Sequence, residues 1–434
     1  MAGPPGSHRL VPGSDHRPPD EPELEPQSMN TPQRESRWTT LAISGALVAA
    51  VAAGAATPAL AADRPADTAS VAAARPAAPV DRAALSQALA DLPPGITGAL
   101  VRVDGRGGRW SGAAGGVPAD ARFRIGSISK VFTATVVLQL AAERRLDLDG
   151  TVQQYLPGLL PAAYPPVTVG QLLDHTSGLP GGGGLTSGDG GERWFADHKA
   201  DSWTPEQVVA DAVRQPMGFA PGTAQQYNGI NTFVAGMLVE KATGRSFAQE
   251  VQARIARPLG LRDTFVPARD DLAVPGPHAT ALLDVPGPDG GRVDVTEQSP
   301  WPWAEGGMIS STADLDRFMT ALLRGRLLPP TQQAELFRVP DVPNNRNKNC
   351  EIGPTAGHAC FSKGLMSATL PNGTVVWGKT GSRPGYYSGV FATKDLSRKV
   401  VLTLNPTGLN GAEFPKVWEI VTASFGSGRV YDPR

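Results

Sequence analysis

Apolar runs separated by Gly-, Pro- and Ser/Thr-rich stretches lay out the elements of this chain. "ITGALVRVDG" followed by "GRWSGAAGG" gives two short strand-like runs across a glycine-containing turn, the pattern of an antiparallel hairpin. "FRIGSISKVFTATVVLQLAAE" then reads as a helix from about Ser127 onward, almost uncharged along its length. A long middle section reads mostly helical and includes "TVGQLLDHTSGLP", "TPEQVVADAVRQ" and "NTFVAGMLVEKATG", the last with apolar residues on a helical period and Gly244 after its final turn. "STADLDRFMTALLRG" opens on a Ser/Thr cap before Asp314 and closes at Gly325. Towards the end "TVVWGKTG", "YYSGVFATKD" and "KVVLTLNPT" are strand-like runs at hairpin spacing, and "WEIVTASF" reads as a last helix. Strands near both ends with helices between predict one sheet closed by the two ends of the chain, with a helical lobe inserted at about 131–299.

Composition narrows the class. A chain of 434 residues with 41% hydrophobic content builds two or three domain-sized units, or one enzyme of two lobes. A net charge of −1 gives no reason to expect nucleic acid or an anionic membrane as partner, since both favour basic patches. Residues 29–61 carry Arg34 and Arg37, an apolar run from Leu41 to about Ala56, and Ala59-Leu60-Ala61, which is the layout of a secretory signal peptide. The run is Ala/Gly-rich and short for a span of about 20 strongly apolar residues, so no stable membrane span is expected after cleavage near Ala61. Residues 1–28 are polar and Pro-rich and read as an extension outside the fold, and 62–79 reads as a disordered spacer. The folded part is expected over 80–434. In a secreted protein Cys350 and Cys360 read as a local disulfide, and in a cytosolic one as free thiols.

The lysine at the head of the apolar helix carries the chemistry. Ser127 and Lys130, at i and i+3, share a face of the first helical turn. A serine hydroxyl needs a base to become a nucleophile, and a lysine serves when burial lowers its pKa. Taken singly, Ser127 is equally a helix cap and Lys130 a snorkelling surface lysine. This is the only Ser-x-x-Lys in the chain, however, and it falls at a helix start. Lys379-Thr380-Gly381 ends a β-branched run, so it belongs on a strand along which an extended peptide can pair, with Gly381 admitting a ligand backbone. The N–H of Ser382 can join that of Ser127 in an oxyanion hole. Ser-x-x-Lys early and Lys-Thr-Gly late form the signature set of penicillin-recognising serine enzymes.

With "DHTSGLP", "PGTAQQYNGINTFVAGMLVEKATG" and "GGMISSTADLDRFMTALLRG" in order between them, the chain resembles the class C β-lactamase-like serine hydrolases from about residue 85 to 430, most of all secreted D-alanyl-D-alanine carboxypeptidases. The resemblance implies a β-lactamase/transpeptidase-like fold, an α/β (α+β) domain with an antiparallel sheet flanked by helices plus an all-helical domain, and a cleft between them. It implies an acyl-enzyme on Ser127, Lys130 as its hydrogen-bonded partner, Tyr227 as a proton shuttle, and no metal or other cofactor. The expected partner is a small peptide or β-lactam substrate, with peptidoglycan behind it, met by a monomer.

Two departures from the family pattern stand out. The middle motif, Tyr-x-Asn, reads here Tyr227-Asn228-Gly229, so the third-position amide is missing and Asn228 or Asn231 is left to supply it. Lys379 stands where such carboxypeptidases often have His, and a fixed cation there can bind a substrate carboxylate together with Thr380. No arginine occurs on "GLMSATLPNG", where related peptidases carry one. Asp174-His175 lacks a G-x-S-x-G elbow and reads as structural, and the glycine-rich run after Leu179 reads as a rim of the cleft. Whether Lys130 or Tyr227 takes the Ser127 proton stays open, as do β-lactamase, esterase and D-amino-acid amidase activities on this scaffold. A protein that traps penicillin, or binds the wall without catalysis, is the rival from outside the enzymes.

Overall fold

The computed structural model describes residues 79–182, 190–287, 290–351 and 354–426. The extension, the signal sequence and nearly all of the spacer lie outside these residues, as does part of the glycine-rich run after Pro180.

Burial explains the central sheet. Strands β1 (Ile96–Gly105) and β2 (Trp110–Ala114) form the first hairpin. A short β3 (Arg122–Arg124), a hairpin of β4 (Leu282–Val285) and β5 (Gly291–Asp294), and β6 (Ile309–Ser311) follow. The sheet is completed by β7 (Met366–Thr369), β8 (Val375–Arg383), β9 (Tyr386–Ala392) and β10 (Arg398–Pro406). Its order is β2-β1-β10-β9-β8-β7, and all its pairs are antiparallel. Every residue of β10 is buried, because successive side chains leave opposite faces and both faces are covered. Val400, Leu402 and Leu404 join a cluster with Leu85, Leu89, Val417 and Ile420 of two helices, Arg82–Ala90 and Phe414–Ser424. Val401 points the other way, into the larger cluster holding Ile128, Val131 and Val137. The first and last strands meet as β1 pairs with β10, in a register that sets Ala99 against Leu404 and Val103 against Val400.

The helices read from the pattern form close to where it places them, Arg82–Ala90 being one it did not mark and the β4–β5 hairpin a strand pair inside the stretch read as helical, and their ends follow capping rules. Thr168, Thr204 and Ser246 each close a capping box with a Gln three residues on. Ser311 caps the Thr312–Leu323 helix, and Gly244 ends the Ile230–Thr243 helix at φ 68°. The Ser129–Ala142 helix has no polar face, and eleven of its fourteen residues are buried. An all-apolar helix belongs inside, and its first turn carries Lys130 in with it. The small β3–β6 sheet, pairing Phe123 with Ser310, brings the Trp303–Gly306 turn against the start of this helix. Thr133 Oγ1 donates to the Ala304 carbonyl at 2.8 Å and Met308 N–H to Ser129 Oγ at 3.3 Å, fixing that turn in place.

Candidate active site

The serine sits at a tight corner. Gly126, Ser127 and Ile128 make one 3-10 turn before the helix, and Gly126 has φ +50°, a value that disfavours any side chain. A Cβ there would also lie 2.6 Å from Ser382 N and 2.5 Å from its carbonyl oxygen. The backbones bearing the Ser127 and Ser382 N–H groups therefore adjoin, the proximity an oxyanion hole requires. Gly381 makes the same contact from the other side, since a Cβ on it would stand 2.0 Å from the Ile125 carbonyl oxygen. The sequence suggested that Gly381 admits a ligand backbone. The contact shows instead that it admits the protein's own turn, docking β8 onto the serine.

Lys130 is 4% exposed and its Nζ donates to Ser127 Oγ at 2.9 Å. It also donates to the Glu305 carbonyl at 2.9 Å and is ion-paired with the Glu305 carboxylate. Burial alone would depress this lysine, but Glu305 and then Tyr227 outweigh burial and leave its pKa above the ordinary value.

Tyr227 lies between two cations, with Lys130 Nζ 5.1 Å and Lys379 Nζ 4.6 Å from its ring centroid. Burial pushes its hydroxyl up, the two lysines pull harder, and the pKa falls below the usual phenol value. The Lys379 pKa is lowered, first by burial. Its Nζ donates to the Thr380 carbonyl at 2.9 Å, and the side chain is 3% exposed. In this arrangement Lys379 faces Tyr227. Thr380 lines a small apolar pocket with Val376, Tyr387 and Phe391 beneath the Phe414–Ser424 helix.

Asn228 does not replace the missing amide. Its Nδ2 donates to the Leu179 and Pro180 carbonyls at 2.7 and 2.9 Å, and its Oδ1 accepts from Ile230 N–H at 2.9 Å. Placed for substrate binding from its sequence position, it is committed instead to the backbone of the preceding loop. Asn231 is likewise engaged, accepting from Ser177 Oγ at 2.6 Å and meeting His175 Nδ1 at 3.2 Å.

His175 supports Tyr227 from behind. It is buried, its ring centroid is 4.7 Å from that of Tyr227, and burial followed by the two lysines holds its pKa well below the ordinary value. A neutral imidazole against the tyrosine adds no further cation. Phe361 stacks on Tyr227 at 5.1 Å and follows Cys360, which is joined to Cys350 by a disulfide. Gln225 ties the two loops together, accepting from the Cys360 and Phe361 N–H groups at 2.9 and 3.0 Å. Glu305 and Phe361 were missed in the sequence because neither stands in a motif. The one available signal for Glu305 was the space implied by glycine at 229.

A serine, two lysines and a tyrosine thus converge where β8 meets the buried helix. Residues 82–422 match the family model described as Beta-lactamase. The chain belongs to this family. It is 30% identical over 328 residues to Esterase EstB of Burkholderia gladioli, covering 67% of this chain and 80% of that protein. It is 32% identical over 209 residues to Penicillin-binding protein 4 of Amycolatopsis lactamdurans, covering 46% and 51%. Among solved structures, the D-stereospecific amidohydrolase from a Streptomyces species superposes with a TM-score of 0.69 at 34% identity, over 80% of this chain and all of that one. The beta-lactamase fold is therefore that of this protein, which is an enzyme acting through an active-site serine.

Proposed function

We propose that this serine hydrolase is D-stereospecific: it acylates Ser127 with the carbonyl of a D-amino-acid residue and releases the amine, carboxyl-terminal D-alanyl-D-alanine peptides being substrates of this class. The observation that carries the reading is the Lys130 Nζ–Ser127 Oγ contact of 2.9 Å with Tyr227 close by. Likeness to the D-stereospecific amidohydrolase over that protein's whole length supports the amide as the bond cleaved.

In this reading Lys130, held as an ammonium by Glu305, donates to Ser127 Oγ and cannot take its proton. Tyr227 as phenolate takes it, the Oγ–C bond forms, and the adjoining Ser127 and Ser382 N–H groups hold the oxyanion. Collapse breaks the C–N bond while Tyr227 returns the proton to the leaving amine. Water then repeats the sequence on the acyl-enzyme. Export to an oxidising compartment is part of the proposal, and the disulfide between Cys350 and Cys360 supports it.

The test is a substrate panel: D- and L-phenylalanine p-nitroanilide, an acylated D-Ala-D-Ala peptide, a chromogenic cephalosporin and p-nitrophenyl acetate. The expected result is cleavage of the D-anilide and the peptide, a preference for D over L of about 100-fold, the scale of a 2.7 kcal/mol difference in transition-state binding, and no turnover in Ser127→Ala. Equal rates on both enantiomers, or fastest turnover of the cephalosporin, would overturn the reading.

A further inference from the structure

Gly229 is the first clue. Its φ of −66° and ψ of −35° are ordinary right-handed helical values, so the backbone does not require glycine there. Space does. A Cβ at 229 would lie 2.9 Å from Glu305 Oε1, 3.1 Å from its Cγ and 3.2 Å from its Cδ. The Glu305 side chain fills the volume that any larger residue at 229 would need.

The backbone of Glu305 is held in place. Its N–H donates to the Pro302 carbonyl at 2.8 Å, and the same short turn is pinned to the buried helix through Thr133 and Ala304. On the other side the Ile230–Thr243 helix comes so close that a Cβ on Gly236 would sit 2.7 Å from Ala304 Cβ. From this fixed position the residue meets Lys130 twice, through its carbonyl and its carboxylate. The carboxylate is 22% exposed and the lysine 4%, so the pair is largely buried with its carboxylate end nearer solvent.

The charge balance requires such a group. The groups facing Lys130 are Tyr227, Lys379, His175 and Glu305, and Arg383 lies near enough to act on Glu305. His175 is neutral. Without Glu305, two buried ammonium groups would flank one phenol, and repulsion in a low-dielectric setting would drive a proton off or push a side chain out. With it, an anion is set directly against the Lys130 ammonium and offsets part of that repulsion.

We propose that Glu305 is a positioning residue of this active site, seated in the space that glycine at 229 leaves and anchoring the Lys130 ammonium against Ser127. The assignment rests on the roles given above to Ser127, Lys130 and Tyr227. Positions 229 and 305 are then coupled: a side chain at 229 displaces the Glu305 carboxylate from its seat against Lys130.

Four variants test this, namely Glu305→Gln, Glu305→Ala, Gly229→Asn and the double variant Gly229→Asn/Glu305→Ala. Each is assayed for kcat, KM and pH profile on p-nitrophenyl acetate. The Lys130 titration is followed by NMR of protein labelled with 13Cε-lysine, the signal being assigned by its loss in Lys130→Met. In Glu305→Gln, which keeps the shape, kcat should fall about 10-fold or more with KM within about threefold, and Lys130 should titrate at least about one pH unit lower. Gly229→Asn alone should cost activity, and the double variant should exceed Glu305→Ala in kcat by about 10-fold, a coupling that independent sites do not show. An unchanged Lys130 titration in Glu305→Gln, or a double variant no better than Glu305→Ala, would overturn the proposal. Wild-type protein inert to every substrate would count against the catalytic roles alone, and the NMR titration would still decide the Glu305–Lys130 link.

Discussion

Tyr227 shows how one side chain takes its chemistry from neighbours. Its hydroxyl is buried, which by itself favours the neutral phenol, yet two lysines within about 5 Å reverse that preference. In the proposed mechanism Tyr227 is active as phenolate, so its competent fraction grows as pH rises towards a pKa that lies below the ordinary 10. kcat/KM on the D-anilide should therefore climb with pH on the alkaline side of neutrality. Tyr227→Phe should lower kcat by about 10²- to 10⁴-fold and flatten that limb, the range general acid–base groups supply. A Tyr227→Phe enzyme retaining the limb would move the proton acceptor elsewhere. Lys379 belongs in the same account: it faces Tyr227 across 4.6 Å, so its charge acts on the Tyr227 hydroxyl.

At the level of elements, the site depends on how closely β8 meets the turn before the buried helix. Local pattern defined β8 as far as Gly381, and the strand in fact continues through Ser382 and Arg383, paired with Tyr387 and Tyr386. That continuation carries the Ser382 backbone past Gly126. Gly381→Ala tests it, because the added methyl meets the Ile125 carbonyl, a backbone atom with no freedom to swing away. The expected outcome is a loss of about 1–3 kcal/mol in denaturant unfolding, as for overpacking generally. Acylation of Ser127 by a labelled penicillin should also slow by at least about 10-fold, the effect of disturbing one oxyanion donor. Normal acylation in a destabilised variant would show that the two N–H groups do not act together.

For the whole described fold, the sheet is the shared wall of two cores, one of them built with the Arg82–Ala90 and Phe414–Ser424 helices. Leu402 is fully buried in the layer under the terminal helices, while its neighbour Val401 faces the catalytic helices. Leu402→Ala should destabilise by about 2–5 kcal/mol, the usual cost of a buried cavity, as read by urea unfolding. KM for the D-anilide should change less than about twofold, since distant sites act independently. A large KM change with little loss of stability would mean that the two layers communicate.

The periodicity of the chain determined its helices, their caps and the hairpins among β7 to β10, because these depend on neighbours close in sequence. It also placed Ser127 with Lys130, three residues apart on one helical turn, and Lys379 on a strand. The pairing of β1 with β10, about 300 residues away, follows from each carrying an apolar run, Ala99–Val101 with Val103 and Val400–Leu402 with Leu404, but its register was set by packing. Only the tertiary structure decided that Asn228 turns into a loop backbone, that Gly381 serves the protein's own turn, and that Glu305 occupies the space beside Gly229. Those outcomes are contests for volume and charge between segments distant along the chain, and no local pattern records who wins them.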